Sequence, residues 1–204
     1  SKLDSLTVLD ISRNRIEKLP NLSQVAPQLS ILDASYNLIS EVPELPLTIC
    51  RLYMNHNRIQ TIPKWIEKYD KLYLINLQFN CVNAIESLPL SLQTLILTFN
   101  DIKEIPNQID TPDLISISLT NNKLIHMPKF ICNQIFDLSF YRNKLIDIDI
   151  NCLCENISTL DLSNNQIEKV PSQLFTFSKL YYLNLSNNKI QYLSERIIAS
   201  SLIT

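Results

Sequence analysis

The feature that most restricts how this chain can fold is an asparagine that returns at nearly constant intervals. Asn14, Asn37, Asn57, Asn80, Asn100, Asn122, Asn143, Asn165 and Asn188 are separated by 23, 20, 23, 20, 22, 21, 22 and 23 residues. Each closes the same frame, first seen as Leu6-x-x-Leu9-x-Ile11-x-x-Asn14-x-Ile16-x-x-Leu19-Pro20. A unit of about 22 residues cannot bury its own apolar face, so a chain with this period must stack one unit on the next. The alternating part of the frame, as in Leu183-Asn184-Leu185, has the period of a short strand with one face buried. The asparagine follows three residues after the last apolar residue, where the chain turns away from the sheet. Its amide offers donors and an acceptor to the turning backbone. Leaving such groups unpaired would cost about 1–3 kcal/mol each. The next apolar residue, such as Ile167 or Ile190, re-enters the core. An apolar-Pro pair follows in Leu19-Pro20, Val42-Pro43, Ile62-Pro63, Ile105-Pro106, Met127-Pro128 and Val170-Pro171. Proline there ends strand pairing and fixes φ for a return limb, which is expected to be a short helix or an irregular turn. The two shortest coils, Leu45-Pro46 to Pro63 and Leu88-Pro89 to Pro106, leave little room for a helix.

The 204 residues include no glycine. Phosphate-binding loops, nucleophile elbows and dinucleotide fingerprints all need it, so those enzyme classes are excluded for this stretch. Turns must rely on Asn, Asp and Pro instead. Hydrophobic residues make up 46% of the chain, which is enough for a packed core. A net charge of −2 argues against a dedicated binder of nucleic acid or anionic membrane. No apolar run approaches the roughly 18 residues of a membrane span, and the opening Ser-Lys-Leu-Asp does not read as a signal segment. The five cysteines, Cys50, Cys81, Cys132, Cys152 and Cys154, make a poor disulfide framework. A reducing, cytoplasmic setting is therefore expected. There the Asn21, Asn156 and Asn184 sequons would stay unused.

The frame resembles that of the leucine-rich-repeat family over nearly the whole chain. The resemblance implies an α/β solenoid curved like a horseshoe, with a parallel concave β-sheet and short helical or irregular convex segments. It implies one domain over residues 1–204, of about nine repeats. The step lengths and apolar-Pro endings are similar to intracellular and bacterial-type repeats, whereas extracellular members usually carry flanking cysteine caps. Leu202 falls where a tenth repeat would begin, and neither end reads as a polar cap. The expectation is a piece of a longer chain, whose uncapped ends offer a route to a homo-oligomer.

Protein binding on the concave face is the function that the resemblance implies. The outward strand slots are most often filled by Asp, Ser, Thr or Asn, as at Asp10, Asp33, Asp161, Ser12, Ser35 and Ser163, and departures from that filling are the candidates. Coils two to five place Ile31, Tyr53, Leu74 and Ile96 on this face, with Arg51, Asn55, Asn76 and Gln78 between them. Tyr36, His56, Phe79 and Phe99 lie just beyond the strand ends, and Tyr73 lies at a strand start. Apolar and aromatic residues gathered on one surface mark a contact site, and aromatic and Arg side chains anchor interfaces. The alternative for Phe79 and Phe99 is that they fold back over the rim of the core. In coil seven, Asp137, Tyr141 and Arg142 read either as a polar contact site or as a local ion pair of little energetic worth.

No catalytic residue, cofactor or metal is expected. His56 and His126 lie some three coils apart, roughly 15 Å at strand spacing, and cannot share a metal. Cys132, Cys152 and Cys154 could meet on neighbouring convex limbs, but their spacing matches no zinc motif. Trp65, Tyr69, Phe130, Phe175 and Phe177 read as core fillers. The main functional expectation is a protein-binding regulatory or targeting part of a larger protein. One alternative is a recognition domain of a signalling enzyme, such as a metal-dependent Ser/Thr protein phosphatase. Another is an effector-type or self-assembling repeat protein, since the 20-residue coils resemble bacterial effector repeats.

Overall fold

The computed structural model describes residues 3–105, 108–109, 111–130 and 134–193, without the side chains of 108, 109 and 130. Pro106, Cys132, Leu202 and the Phe130 ring lie outside the described residues. Each frame contributes one three-residue strand: Val8–Asp10 (β1), Ile31–Asp33 (β2), Arg51–Tyr53 (β3), Leu74–Asn76 (β4), Thr94–Ile96 (β5), Ser116–Ser118 (β6), Asp137–Ser139 (β7), Thr159–Asp161 (β8) and Tyr182–Asn184 (β9). Among the described residues they form one nine-stranded sheet in sequence order, and every pair is parallel.

The register is set by the apolar residue at the centre of each strand. Leu9, Leu32, Leu52, Ile75 and Leu95 stand opposite one another in turn, and the row continues through Ile117, Leu138, Leu160 and Leu183. A slip of one residue would turn the whole row outward, so burial fixes the alignment. The strands sit one residue earlier than the Leu-x-Leu pattern suggests. The second apolar residue of each pair lies past the strand, where the chain is already bending. Its N–H still reaches the next coil, as from Leu162 to the Asp161-paired Asn184 oxygen at 2.9 Å.

Coil length decides what covers the convex side. The 23-residue steps carry a helical turn: an α-helix at Leu22–Val25 and 3-10 helices at Lys64–Lys68 and Ser172–Thr176. A 3-10 turn at Ile150–Cys152 lies in a 22-residue step. The two 20-residue steps carry no helix, as the sequence leads one to expect. Pro63 and Pro171 sit at helix N-caps with φ of −77° and −65°, the value the proline ring imposes.

Shortening a coil leaves convex backbone groups that no helix satisfies. The fully buried Tyr69 meets this need for the first short coil. Its hydroxyl accepts from Leu45 N at 3.0 Å and lies 3.1 Å from Leu45 O, to which it donates. Thr48 and Ser91, at equivalent places in the two short coils, donate hydroxyls to carbonyls of the coil before. Phe175 is buried, while Trp65 and Phe177 pack against the core partly buried, so all three fill it as expected.

Candidate functional site

The asparagines build the rim from which the candidate site projects. From Asn37 onward, each Oδ1 accepts the N–H of the re-entrant apolar residue in the preceding coil: Ile16 for Asn37, Ile39 for Asn57, Ile59 for Asn80 and Val82 for Asn100. Asn122, Asn143, Asn165 and Asn188 repeat the contact with Ile102, Leu124, Leu145 and Ile167. Each Nδ2 donates to the end of its own strand and of the one before, as from Asn100 to Leu97 O and Leu77 O. The ladder therefore joins coils to one another as well as closing each bend.

The residue before every ladder asparagine has a left-handed backbone. Arg13, Tyr36, His56, Phe79, Phe99, Asn121, Arg142, Asn164 and Asn187 have φ between 53° and 57°. Without glycine, this chain fills the position three times with Asn, which tolerates it, and elsewhere with larger side chains. In coils two to five those side chains are rings, and they stack on one another. Tyr36 and His56 have centroids 4.1 Å apart, His56 and Phe79 4.4 Å, and Phe79 and Phe99 4.3 Å, with interplanar angles of 12°, 22° and 10°. Arg13 closes the near end, its guanidinium carbon 4.7 Å from the Tyr36 centroid. The rings do not fold back over the core: Tyr36, Phe79 and Phe99 are 42%, 37% and 41% exposed. The result is a continuous aromatic column along one edge of the concave sheet.

The strand-facing candidates divide into two further columns. One runs Ile31, Arg51, Leu74, Thr94, and the other Asp33, Tyr53, Asn76, Ile96. Ile31, Tyr53, Leu74, Asn76 and Ile96 are half-buried. The frequent Asp or Asn in the second column has a local cause. Asp10, Asp33, Asn76, Asp161 and Asn184 each accept the N–H two residues on, an Asx turn that eases the chain out of the strand. The Asn76 oxygen thus serves its own turn. Tyr53 and Ile96 occupy the same slot without making that bond, which leaves them facing the concave surface.

Arg51 is bracketed by phenols. Its Nε donates to the Tyr73 hydroxyl at 2.5 Å, and its guanidinium lies 5.7 Å from the centre of that ring. Hydrogen bonds to Tyr73 and then Tyr53 raise its pKa further above the ordinary arginine value. No carboxylate among the described residues pairs with it. The structure thus brings Arg51, Tyr53 and Tyr73 together on the strands, toward their starting edge.

Three features are not evident from reading slots within single strands. Arg13 belongs to the ring column. Ile115 and Phe136, 45% and 50% exposed, lie immediately before β6 and β7 at the opposite edge of the sheet. Their shared distance from the ladder asparagine is the signal that would have found them. In coil seven the ion pair, one of the two readings of Asp137, Tyr141 and Arg142, does not form. Asp137 accepts instead from the Thr159 hydroxyl at 2.6 Å, and Arg142 has no carboxylate partner among the described residues.

The convex side offers little reactive chemistry. Cys152 and Cys154 are buried, and Cys132 lies outside the described residues. Burial first, and then nearby Asp149, push the Cys152 thiol up to about 11, so it stays protonated and unreactive at neutral pH. Asp149 is itself the N-cap of Ile150–Cys152, and the Asn151 N–H holds its pKa below the usual carboxylate value. His126 lies 3.5 Å from Asp147, both exposed, while His56 sits within the ring column. Among the described residues no group of three or more His, Cys, Asp or Glu is placed to hold a metal.

Comparison with known proteins agrees with this architecture. Residues 155–200 match a family model described as "Leucine rich repeat", and residues 5–24 match one described as "Leucine Rich Repeat". YopM of Yersinia pestis, described as a leucine-rich effector protein, superposes with a TM-score of 0.71 at 28% identity, covering 88% of this chain and 49% of that one. YopM of Yersinia enterocolitica WA-314 gives 0.70 at 26% identity, covering 96% and 45%. The human oligodendrocyte-myelin glycoprotein is 32% identical over 80 residues, which is 38% of this chain and 18% of that protein. The chain therefore spans less than half of the length of each. It folds as a leucine-rich-repeat solenoid of roughly 22-residue coils.

Proposed function

We propose that this chain is a protein-binding module of the effector type, which holds a partner protein on its concave face. The observation that carries this reading is the exposed aromatic column from Tyr36 to Phe99, with Arg51, Tyr53 and Tyr73 clustered on the same sheet. Nothing in the fold needs rings there, since Asn fills the same backbone position in coils six, eight and nine. Rigid aromatic rings and arginine give large contact area at low entropic cost, as interface anchors do. The similarity to a leucine-rich effector supports this reading over attachment to a signalling phosphatase. The 20–23-residue steps and the free thiols of Cys50 and Cys81 support intracellular-type repeats in the cytoplasm.

The test is a pull-down from lysates of the source cell and of a candidate host. The bait is the wild-type chain beside a Phe79→Asn, Phe99→Asn variant. Asn already occupies the equivalent position in other coils, so the backbone should tolerate the change. A partner retained by the wild type and lost by the variant, with equal circular dichroism, supports the reading. Identical partners for both baits would sink it.

A further inference from the structure

The positions flanking the ladder asparagines carry a charge that the chain as a whole does not. Immediately before and after those nine residues stand seven cations and one carboxylate, a net +6 in a protein of net −2. Arg13, Arg15 and Arg58 lie in the first three coils, beside the ring column, and all are exposed. Arg142, Lys144 and Lys189 continue the row, and Lys123 is tied to the lone carboxylate, Asp101, at 2.5 Å.

The arginines of the first three coils, Arg13, Arg15, Arg51 and Arg58, have no carboxylate partners among the described residues. Two carboxylates of the first two strands are engaged by their own turns: Asp10 by Ser12 N, and Asp33 by the Ser35 N–H and hydroxyl.

The stacking also decides what the rings can offer. With their faces turned to one another, His56 and Phe79 present edges to solvent, and Arg13 covers the free face of Tyr36. Ring edges carry the positive end of the aromatic quadrupole and favour oxygen acceptors. A nucleic-acid base needs a free ring face on which to stack, and such faces are scarce here. Arginine forks match carboxylates with two parallel hydrogen bonds.

We propose that this rim recognises an acidic, extended segment of a partner protein, with carboxylates three residues apart. The proposal rests on the protein-binding reading above. Along the solenoid axis Arg13 and Arg58 are two coils apart, about 10 Å at strand spacing, and three residues of extended chain in the polyproline II form advance about the same distance and return to the same face. A segment running along the solenoid axis would therefore set one carboxylate on each arginine and lay its backbone carbonyls over the ring edges between them.

The experiment is a fluorescence-anisotropy titration of the whole chain with three labelled probes. They are a peptide containing Leu-Glu-Ser-Ser-Glu-Leu, its Glu-to-Gln counterpart, and single-stranded oligo-dT. The expected result is binding of the Glu peptide that weakens with salt, and that falls about tenfold or more with the Gln peptide or with an Arg13→Gln, Arg58→Gln variant. Both arginines are exposed, so the variant should keep its fold, which circular dichroism checks. Equal binding of the Gln peptide, indifference to the double substitution, tighter binding of oligo-dT, or no binding of the Glu peptide would each overturn the proposal. A double variant that still captures the pull-down partner would remove only the acidic-segment chemistry and leave the binding-module reading intact.

Discussion

A bulky side chain at a left-handed backbone position costs about 1–2 kcal/mol, and Asn escapes part of that cost. Phe79 bears it at φ 53° and recovers it by stacking on both neighbours, His56 and Phe99. Such ring pairs contribute about 0.5–1.5 kcal/mol each. Phe79→Asn relieves the backbone and removes two stacks, so its net cost in urea unfolding should fall between zero and about 2 kcal/mol. A loss of 4 kcal/mol or more, roughly that of a large core truncation, would mean that the ring belongs to the core and is not a contact residue. The ladder asparagines face the opposite test. Asn100 is buried and bonds Val82 N at 2.8 Å, Leu77 O at 2.9 Å and Leu97 O at 3.0 Å. Asn100→Ala strands those groups, and at about 1–3 kcal/mol for an orphaned buried donor the cost should be about 3 kcal/mol or more. Asn14 is exposed, and its side chain bonds the Ile11 and Ser12 carbonyls of its own turn, with no other side-chain partner among the described residues. Asn14→Ala should cost less than about 1 kcal/mol. Equal losses at the two positions would refute the coil-to-coil account of the ladder.

The coils show how backbone demands pass from one element to the next. The short second coil has no convex helix, and Tyr69 of the third coil supplies what is missing by bonding both Leu45 N and Leu45 O. Tyr69→Phe keeps the ring and removes the hydroxyl. It should destabilise by about 2 kcal/mol, because a buried N–H and C=O lose their partner. A change within about 0.5 kcal/mol would show that the hydroxyl adds nothing. The element scale also marks the limit of what the sequence discloses. The ladder, the parallel strands and the helix-free short coils follow from spacing, because period and step length are properties of the chain itself. The ring column is only half visible. Tyr36, His56, Phe79 and Phe99 stand out as departures, but their mutual stacking depends on how closely one coil follows the next. Arg13 joins the column only once that register is known. Asn76 stands out for the opposite reason: its residue type suggests a contact, while its oxygen caps the Gln78 N–H. The Asp137–Thr159 bond is equally hidden, since it joins residues 22 positions apart in sequence that the register sets side by side.

At the scale of the whole molecule, charge is sorted by place. The +6 beside the ladder leaves the rest of the chain strongly acidic, although the total is only −2. The two views of the molecule predict opposite salt effects on association with an acidic partner. If net charge governed the encounter, two acidic bodies would repel, and added salt would speed their approach by screening. If the flank governs, the partner meets Arg13, Arg15, Arg51 and Arg58 within a Debye length of about 8–10 Å, and salt slows association. The second outcome is expected, because a local potential at the docking edge acts where the final approach occurs, while the acidic remainder is screened at longer range. Stopped-flow or surface-binding kinetics between about 0.02 and 0.3 M salt would read the sign directly. Replacing Arg13 and Arg58 with Gln should flatten that slope, whereas Lys144→Gln, four coils beyond Arg58 and outside the ring column, should leave it nearly unchanged. An association rate that rises with salt in the wild type would mean that the rim does not steer the partner and that recognition lies elsewhere on the solenoid.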